Sequence, residues 1–377
     1  MIFLFRKVLS FIIITVFLFN LKITASAGSL SAESYILYHP LTNEIILQKN
    51  IDKQLTMAST TKILTGLIAC SQHDMGKILT VKSEMIKVEG TSVGLKAGDK
   101  ISLLELCYGM MLESGNDAAN CIAYAISGSL SEFAKLMNKT ALEIGMTNSN
   151  FVTPSGLDAD GHYTTAYDMA ILTSAALQNE TFREIVGTKT HKAVYNNGNS
   201  YRTYSNHNRL LSSLDGCIGV KTGFTKKSGR CLVSACKRNG VELVAVTLNA
   251  PNDWSDHAQM YEIGYSNFKT ISYNQNLLPE KMHICGGDKA EISIKTEPFE
   301  ISVPNSVDTQ ITAQIALPQF LYAPVEISDT VGTIEYYLNN KKIAEIPFTA
   351  TEKSAIIVEK QKFIDVFIKN FLRLIKI

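Results

Sequence analysis

The chain has 377 residues, of which 46% are hydrophobic and 19% are charged. This apolar content can form large cores, and the length exceeds one ordinary domain of about 100–200 residues, so we expect two domains with appendages. The composition excludes disorder, collagen and coiled coil for the whole chain. Thirty-six Lys and Arg residues balance 35 Asp and Glu residues, leaving a formal charge of +1 with no long basic run. Nucleic acid is therefore not an expected partner.

Residues 1–27 have the pattern of a secretory signal peptide. Arg6 and Lys7 precede the apolar run 8–19, and small residues follow at positions 25–27. This order of charge, apolar run and small residues is typical of a cleaved export signal. The alternative is a retained membrane helix, but the run is shorter than the roughly 20 residues that a spanning helix needs. We therefore expect an exported protein.

Residues 28–272 alternate between strand and helix patterns, which predicts one domain of mixed structure. Two apolar, β-branched stretches within 34–49 flank a turn at 39–43, so we expect a hairpin there. Apolar residues then recur at helical spacing from Ser59 to Cys70, which predicts a buried helix. Further helices are predicted over 103–126, 130–144 and 166–177, and strands over 231–235 and 241–249.

Residues 280–350 show a different pattern, with short alternating segments separated by prolines. The segments are 290–295, 299–303, 311–317 and 333–338, and Asn339-Asn340 could turn the last into a hairpin. Alternation with turn residues between segments is typical of a small antiparallel β domain. No catalytic cluster is visible in it.

Residues 353–377 are predicted to form a C-terminal amphipathic helix. From Lys362 to Ile377 the charged residues recur at steps of three and four, and large apolar residues occupy the remaining face. A broad apolar face beside a cationic face favours a helix lying on an anionic membrane surface. The alternative is a helix packed on the β domain.

The seven cysteines do not suggest a metal centre. They have no CxxC spacing and no partnering His pair, so neither zinc nor any other metal or cofactor is expected. Most lie in apolar contexts and are expected to be buried thiols. One disulfide remains open in an exported chain, and the sequence does not place it.

Three short motifs occur in order, and together they indicate an active site. They are Ser59-Thr60-Thr61-Lys62, Ser114-Gly115-Asn116 and Lys221-Thr222-Gly223. Each is common by chance, but the joint order is that of penicillin-binding proteins and class A β-lactamases. The motifs fall at a predicted helix start, a helix–loop boundary and a predicted strand.

The first motif suits nucleophilic catalysis. Residues i and i+3 share a helix face, so the Lys62 amine can reach the Ser59 hydroxyl. A buried amine with a lowered pKa can take the proton of that hydroxyl at neutral pH. In the other motifs, Ser114 can relay a proton and Asn116 can bind a peptide carbonyl. Lys221 and Thr222 suit a terminal carboxylate.

In these three motifs and their order, the chain resembles the low-molecular-mass penicillin-binding proteins, which are serine-type D-alanyl-D-alanine carboxypeptidases. The segments 151–157 and 162–170 also resemble this family, as does the order of hydrolase domain, β domain and C-terminal helix. The resemblance implies a hydrolase domain of the β-lactamase/DD-peptidase type, with a sheet flanked by helices and a helical lobe. It implies a substrate pentapeptide ending in D-Ala-D-Ala, acylation by β-lactam antibiotics, and a place on the outer face of the bacterial cytoplasmic membrane.

The resemblance also implies the roles of individual residues. Ser59 would be the acylated nucleophile, Lys62 the base, and Ser114 the relay to the leaving D-alanine. Asn116 would bind substrate. The backbone N–H groups of Ser59 and Phe224 would form the oxyanion hole.

The third motif and one arginine complete the implied binding site. Lys221, Thr222 and Gly223 would hold the substrate, with the carboxylate on the first two. Arg209 matches a basic residue of the family near this site. Phe224 stands where some relatives have a polar residue, which bears on substrate preference but not on a backbone N–H group.

Two other functions are compatible with the same motifs. A β-lactamase must deacylate quickly with a Glu-activated water, and residues 145–178 contain no Glu. This favours slow release of β-lactams. The second alternative, a membrane-attached sensor or scaffold that is acylated without turnover, would have the same motifs.

Overall fold

The computed structural model describes residues 30–273, 278–305, 311–338, 340–357 and 362–375. The expected signal peptide, 1–27, lies outside the described residues. The chain divides into two compact units, Met1–Ser266 and Asn267–Ile377. The helices are α1 (Lys62–Cys70), α2 (Leu103–Leu112), α3 (Asn116–Ser127), α4 (Leu130–Glu143), α5 (Ala166–Ala176), α6 (Glu180–Gly187), α7 (Leu210–Ser213), α8 (Asp253–Tyr265) and α9 (Lys362–Ile375).

The strands of the first unit are β1 (Ser34–His39), β2 (Glu44–Lys49), β3 (Ile78–Thr80), β4 (Lys100–Ser102), β5 (Thr190–Tyr195), β6 (Ser200–Ser205), β7 (Cys217–Thr225), β8 (Gly229–Arg238) and β9 (Val241–Leu248). Those of the second unit are β10 (Phe268–Ser272), β11 (Lys281–Cys285), β12 (Glu291–Lys295), β13 (Glu300–Pro304), β14 (Ile311–Ala316), β15 (Leu321–Tyr322), β16 (Thr330–Leu338) and β17 (Lys341–Ala350).

The first unit is built on a five-stranded antiparallel sheet in the order β2-β1-β9-β8-β7. The predicted hairpin forms one edge of this sheet, because β1 pairs with β2 antiparallel, with a bulge between Leu37 and Tyr38. Strand β9 is buried on both faces. The consecutive residues Leu243 and Val244 point to opposite faces of the sheet, and both are inaccessible to solvent. Helix α5 contacts β9, as does α8. A sheet covered by helices on both faces needs such continuous apolar strands.

The helical lobe surrounds α1, of which eight residues are buried, including the amine-bearing Lys62. A Cβ at Gly66 would lie 2.9 Å from Phe182 of α6, so this glycine permits close helix packing. The predicted helix over 103–126 is broken into α2 and α3. The break occurs because Ser114 has a positive φ of 62°, which no α-helical residue adopts. The second motif therefore lies at a sharp turn between two helices.

The second unit is a β domain, as the alternation predicted. Its larger sheet has the order β14-β16-β17-β12-β11-β15, and its core contains Ile334, Tyr336 and Phe348. Strand β10 pairs with β13, so the division between the units falls after Ser266 and not at residue 272 as expected. Residues 268–272 belong to the second unit because they pair with β13, and the sequence pattern did not indicate this pairing.

The C-terminal helix α9 begins at Lys362, later than the expected start at 353. Residues 354–357 belong to the β unit, because Ser354 pairs with Val325 and the Ile357 N–H donates to the Gly286 carbonyl at 2.9 Å. The large side chains described on α9 are exposed: Phe367, Ile368, Phe371, Leu372 and Leu374. Among the helices that the structure describes, none combines the length and apolarity needed to cross a bilayer.

Candidate active site

The first motif forms a tight turn that presents Ser59 ahead of α1. Ser59 lies in a single 3₁₀ turn, Ala58–Thr61, and Ala58 has a positive φ of 48°. Gly156 and Gly223 press on this turn from two sides. A Cβ at Gly156 would lie 1.9 Å from the Ala58 carbonyl oxygen, and one at Gly223 would lie 3.1 Å from the Ser59 nitrogen. Gly156, with a φ of 85°, therefore requires glycine, and a side chain at Gly223 would be tight against the turn.

Lys62 lies one helical turn from Ser59 and is fully buried. Its Nζ is 2.9 Å from Ser59 Oγ, 2.8 Å from Asn116 Oδ1 and 2.6 Å from the Ser155 carbonyl oxygen. Burial and then the charge of Lys221 lower its pKa well below the ordinary value, while Asp117 acts in the opposite direction. A neutral amine has two N–H groups and one lone pair. The two N–H groups satisfy Asn116 and Ser155, which leaves the lone pair facing the serine hydroxyl.

Asn116 fixes the position of this amine. Its Oδ1 accepts from Lys62, its Nδ2 donates to the Glu89 carbonyl at 2.7 Å, and its backbone N–H donates to the Thr91 carbonyl at 2.8 Å. The sequence predicted a substrate-binding amide here. In this structure both ends of the side-chain amide contact the protein, so it orients Lys62.

The third motif lies on β7, an edge strand of the sheet. This strand lies beside the Ala58–Thr61 turn that carries Ser59, here called the nucleophile turn. Lys221 is buried and its Nζ donates to the Thr222 carbonyl at 3.1 Å. Burial lowers its pKa to about 7. Thr222 is partly exposed, and Phe224 exposes 65% of its surface. The strand therefore carries one buried amine and, next to it, an accessible hydroxyl.

A cleft of about 760 Å³ runs along this edge of the first unit. Residues of all three motifs and Arg209 line it: Ser59, Ser114, Thr222, Gly223, Phe224 and Arg209. Lys62 and Lys221 do not line the cleft and are buried. Arg209 is exposed at the start of α7. Six of the nine predicted site residues thus line this cleft, and Lys62 and Asn116 are hydrogen-bonded beneath Ser59.

No motif assigned a role to the only tryptophan, Trp254, and the structure places it in the same cleft. Trp254 and Arg230 line the cleft, with the guanidinium 5.8 Å from the indole ring. Arg230 Nε also donates to Asp253 Oδ1 at 2.9 Å. No motif spacing marks these residues, because they come from β8 and from the start of α8.

Sequence analysis also missed a buried histidine that supports the nucleophile turn. His162 Nδ1 accepts from the Val152 N–H at 2.9 Å, so its Nε2 carries the proton and donates to Thr61 Oγ1 at 2.9 Å. Thr61 Oγ1 in turn donates to the Ala58 carbonyl at 2.9 Å. Burial lowers the pKa of His162 to about 4, so the ring is neutral at pH 7. The segment 162–170 resembled the family, but nothing in it marked this contact.

The backbone of Pro154 and Ser155 accepts hydrogen bonds from side chains of α1. Ser155 O accepts from Lys62, and Pro154 O accepts from Thr65 Oγ1 at 2.7 Å.

Across the part of the chain that the structure describes, no group of three or more His, Cys, Asp or Glu side chains could hold a metal ion.

Two family models and several curated proteins match this chain. A family model described as D-alanyl-D-alanine carboxypeptidase matches residues 21–252, and one described as penicillin-binding protein 5, C-terminal domain, matches residues 265–355. D-alanyl-D-alanine carboxypeptidase DacF of Bacillus subtilis (strain 168) is 31% identical over 332 residues, which cover 85% of each chain. D-alanyl-D-alanine carboxypeptidase DacC of Escherichia coli (strain K12) is 30% identical over 348 residues, 87% of this chain and 86% of the relative.

Solved structures agree with the sequence relatives. The crystal structure of the D-alanyl-D-alanine carboxypeptidase DacD from Francisella tularensis matches with a TM-score of 0.62 and 26% identity, over 89% of this chain and 97% of that one. Fold and sequence together define a serine DD-peptidase with an appended β domain. The chain belongs to the D-alanyl-D-alanine carboxypeptidase family, the low-molecular-mass penicillin-binding proteins. The predicted family, fold class and enzyme class are thereby confirmed, and the β-lactamase alternative is not favoured.

Proposed function

We propose that Ser59 is the nucleophile of this carboxypeptidase and that Lys62 is its base. The observation that carries this proposal is the set of three contacts around Lys62 Nζ, which places this nitrogen 2.9 Å from Ser59 Oγ. Ser59 attacks the carbonyl between the two terminal D-alanines of the stem peptide, and Lys62 takes its proton. The products of this step are an ester on Ser59 and free D-alanine.

Ser114 relays the proton to the departing D-alanine. Its hydroxyl lines the same cleft as Ser59, at the turn between α2 and α3. The leaving amine must gain a proton before the bond breaks. A relay from Lys62 through the Ser114 hydroxyl would deliver it, and this role rests on their shared position at the cleft.

The substrate carboxylate is held by the third motif. Thr222 offers a hydroxyl at the cleft surface, Lys221 a buried positive charge and Arg209 an exposed one. Charge-assisted hydrogen bonds of this kind favour a terminal carboxylate. The backbone N–H groups of Ser59 and Phe224 form the oxyanion hole, and the close approach of Gly223 to the Ser59 nitrogen brings the two segments together.

We place the enzyme on the outer face of the cytoplasmic membrane, held by α9. The described large side chains of α9 are exposed, and residues 352–377 carry six basic residues against three acidic ones. Such a helix can lie in the interface of an anionic membrane. The exported location follows from the predicted signal peptide and from the peptidoglycan substrate.

The acylation experiment tests the assignment of Ser59. Full-length protein mixed with benzylpenicillin should gain the mass of one penicillin on the peptide that contains Ser59, and the Ser59→Ala variant should not. The same preparation should release D-alanine from a D-Ala-D-Ala peptide, which separates a carboxypeptidase from a sensor without turnover. Release of the penicilloyl group should be slow, because residues 145–178 lack a Glu. An adduct on Ser59→Ala would assign the nucleophile elsewhere.

A further inference from the structure

Two cysteines face each other at the start of the strand that carries Lys221. Cys217 begins β7, and its Cα partner across the antiparallel ladder is Cys236 of β8. All seven cysteines lie in the described part of the chain and are unbonded there. The sequence left the choice of a cysteine pair open, and the strand register now supplies one.

The hydrogen-bond pattern brings the Cα atoms of this pair close together. The Lys237 N–H donates to the Gly216 carbonyl at 2.8 Å, and the Cys217 N–H donates to the Leu214 carbonyl at 3.3 Å and not to its Cα partner Cys236. Cys217 and Cys236 are therefore opposed without exchanging backbone hydrogen bonds, as in a non-hydrogen-bonded pair. Such pairs have Cα atoms about 4.5 Å apart and side chains on the same face of the sheet. Disulfides form over Cα separations of about 4.4–6.8 Å, so this pair lies within reach.

The two thiols lie on opposed residues of neighbouring strands and differ in exposure. Cys236 has no exposed surface, whereas Cys217 is partly exposed. The hydrogen bond from the Cys236 thiol is the largest cause that lowers the pKa of Cys217. A thiol that is both more acidic and more accessible is the one that attacks first.

We propose that Cys217 and Cys236 form a reversible disulfide that joins β7 to β8. The oxidant is a small disulfide of the glutathione type. The Cys217 thiolate attacks one sulfur of the reagent, which forms a mixed disulfide and releases one thiolate. The Cys236 thiol loses its proton and attacks the Cys217 sulfur, which closes the protein disulfide and releases the second reagent thiolate. The protein loses two protons and two electrons, and the reagent disulfide is reduced to two thiols.

The bond would fasten an irregular part of the catalytic edge strand. The register of β7 shifts between Cys217 and Gly219, which leaves a bulge before Lys221. Gly219 has a φ of 152°, and a Cβ there would lie 2.9 Å from Val186, so the backbone of β7 packs closely against α6 at this bulge. Neither sulfur lines the cleft, so we expect the disulfide to stabilise the strand and to leave acylation within about twofold.

Another thiol pair must be distinguished in the test. Cys70 of α1 and Cys107 of α2 also share a hydrogen bond, which raises the pKa of Cys107 together with burial. Both of these residues are buried, so a reagent cannot reach either as easily as Cys217. The ladder register supports only the Cys217 and Cys236 pair.

The experiment uses the full-length protein, reduced, freed of reductant, treated with oxidised glutathione and mapped by mass spectrometry without reduction. Trypsin should release Cys217 in peptide 210–221 and Cys236 in peptide 231–237, which also contains Cys231. Cys231→Ser is therefore the matched control. The linked peptides should appear in the wild type and in Cys231→Ser, and should be absent from Cys217→Ser and Cys236→Ser.

The melting temperature gives a second readout. A disulfide that closes a loop of this size should raise the Tm of the oxidised wild type by about 5 °C over its reduced form. Cys217→Ser should show no such difference. A glutathione adduct that stays on Cys217, or a linkage that joins only Cys70 and Cys107, would overturn the proposal. Loss of the link in Cys231→Ser would also overturn it, because Cys231 would then be the partner.

Discussion

Lys62 and Lys221 are two buried amines that interact in the interior, where burial first and then the charge of Lys221 lower the pKa of Lys62. Like charges in a poorly solvated region disfavour double protonation. Burial lowers the pKa of Lys221 to about 7, so this residue is partly protonated at neutral pH. In the proposed mechanism the two amines have separate roles: Lys62 transfers the proton and Lys221 binds the substrate carboxylate.

The Lys62→Arg variant tests the proton-transfer role. Arginine stays protonated in proteins, so it can donate to Asn116 and Ser155 but cannot accept the Ser59 proton. Acylation by benzylpenicillin should slow by at least about 100-fold, the lower range for loss of a general base. The measurement is the rate of adduct formation by mass spectrometry, with circular dichroism as a folding control. An unchanged rate in a folded variant would assign the base elsewhere.

The paired pKa values predict how the reaction depends on pH. At low pH Lys62 is protonated and cannot act as a base, which produces the acid limb of kcat/KM. As pH rises above about 7, the free enzyme loses the charge on Lys221, so kcat/KM for a peptide with a terminal carboxylate should fall. A profile of kcat/KM from pH 5 to 10 checks this. Lys221→Arg keeps its charge and should lack the alkaline limb near pH 7, and a limb that persists unchanged would contradict the assignment.

The same groups affect stability. A lysine whose folded pKa is about 7 loses its proton progressively above pH 7 in the folded protein, whereas the unfolded chain keeps this proton up to about pH 10. The unfolded state then binds more protons, so the free energy of unfolding should rise as pH increases over this range. Chemical denaturation at pH 7, 8 and 9 measures it, and Lys221→Met should reduce the slope. A wild-type stability that falls between pH 7 and 9 would show that Lys221 is charged when buried.

Much of this arrangement could be predicted from sequence, and the exceptions have physical reasons. Alternation predicted the hairpin at 34–49 and the β domain, and motif order selected Ser59 and Lys62. The β5–β6 hairpin was missed because most of its residues are exposed, so it has no apolar pattern. The contacts of Lys62 with the Ser155 carbonyl were missed because a backbone oxygen has no side-chain signature. Long-range packing decides such contacts, and local spacing does not encode them.

His162 is a positioning residue, and its variant gives a test that sequence patterns did not suggest. His162→Ala removes the donor to Thr61 and leaves the Val152 N–H without its acceptor, at a cost of about 1–3 kcal/mol for buried polar groups. We expect kcat to fall about tenfold with KM little changed, because the nucleophile turn is disturbed and the cleft is not. His162→Gln keeps a donor and should recover part of the rate. Since the pKa of His162 is about 4, the limbs of the profile above pH 5 should not move. A shifted limb would mean that His162 itself transfers protons.

The last prediction concerns α9 as a membrane anchor. Its exposed Phe367 and Phe371 stack on one another, and burying such side chains in a lipid interface contributes roughly 1.5–3 kcal/mol each when complete. Ordering an isolated helix of this length opposes binding, while the net positive charge of residues 352–377 adds attraction to anionic lipid that salt should weaken.

Deleting residues 358–377 spares the contacts of Ser354 and Ile357 with the β unit. The shortened protein should stay in the supernatant when anionic vesicles are sedimented, with unchanged activity on a soluble peptide. Phe367→Ser/Phe371→Ser should weaken sedimentation without changing charge, which separates apolar insertion from electrostatic attraction. Sedimentation of the shortened protein equal to that of the full chain would show that α9 is not the anchor.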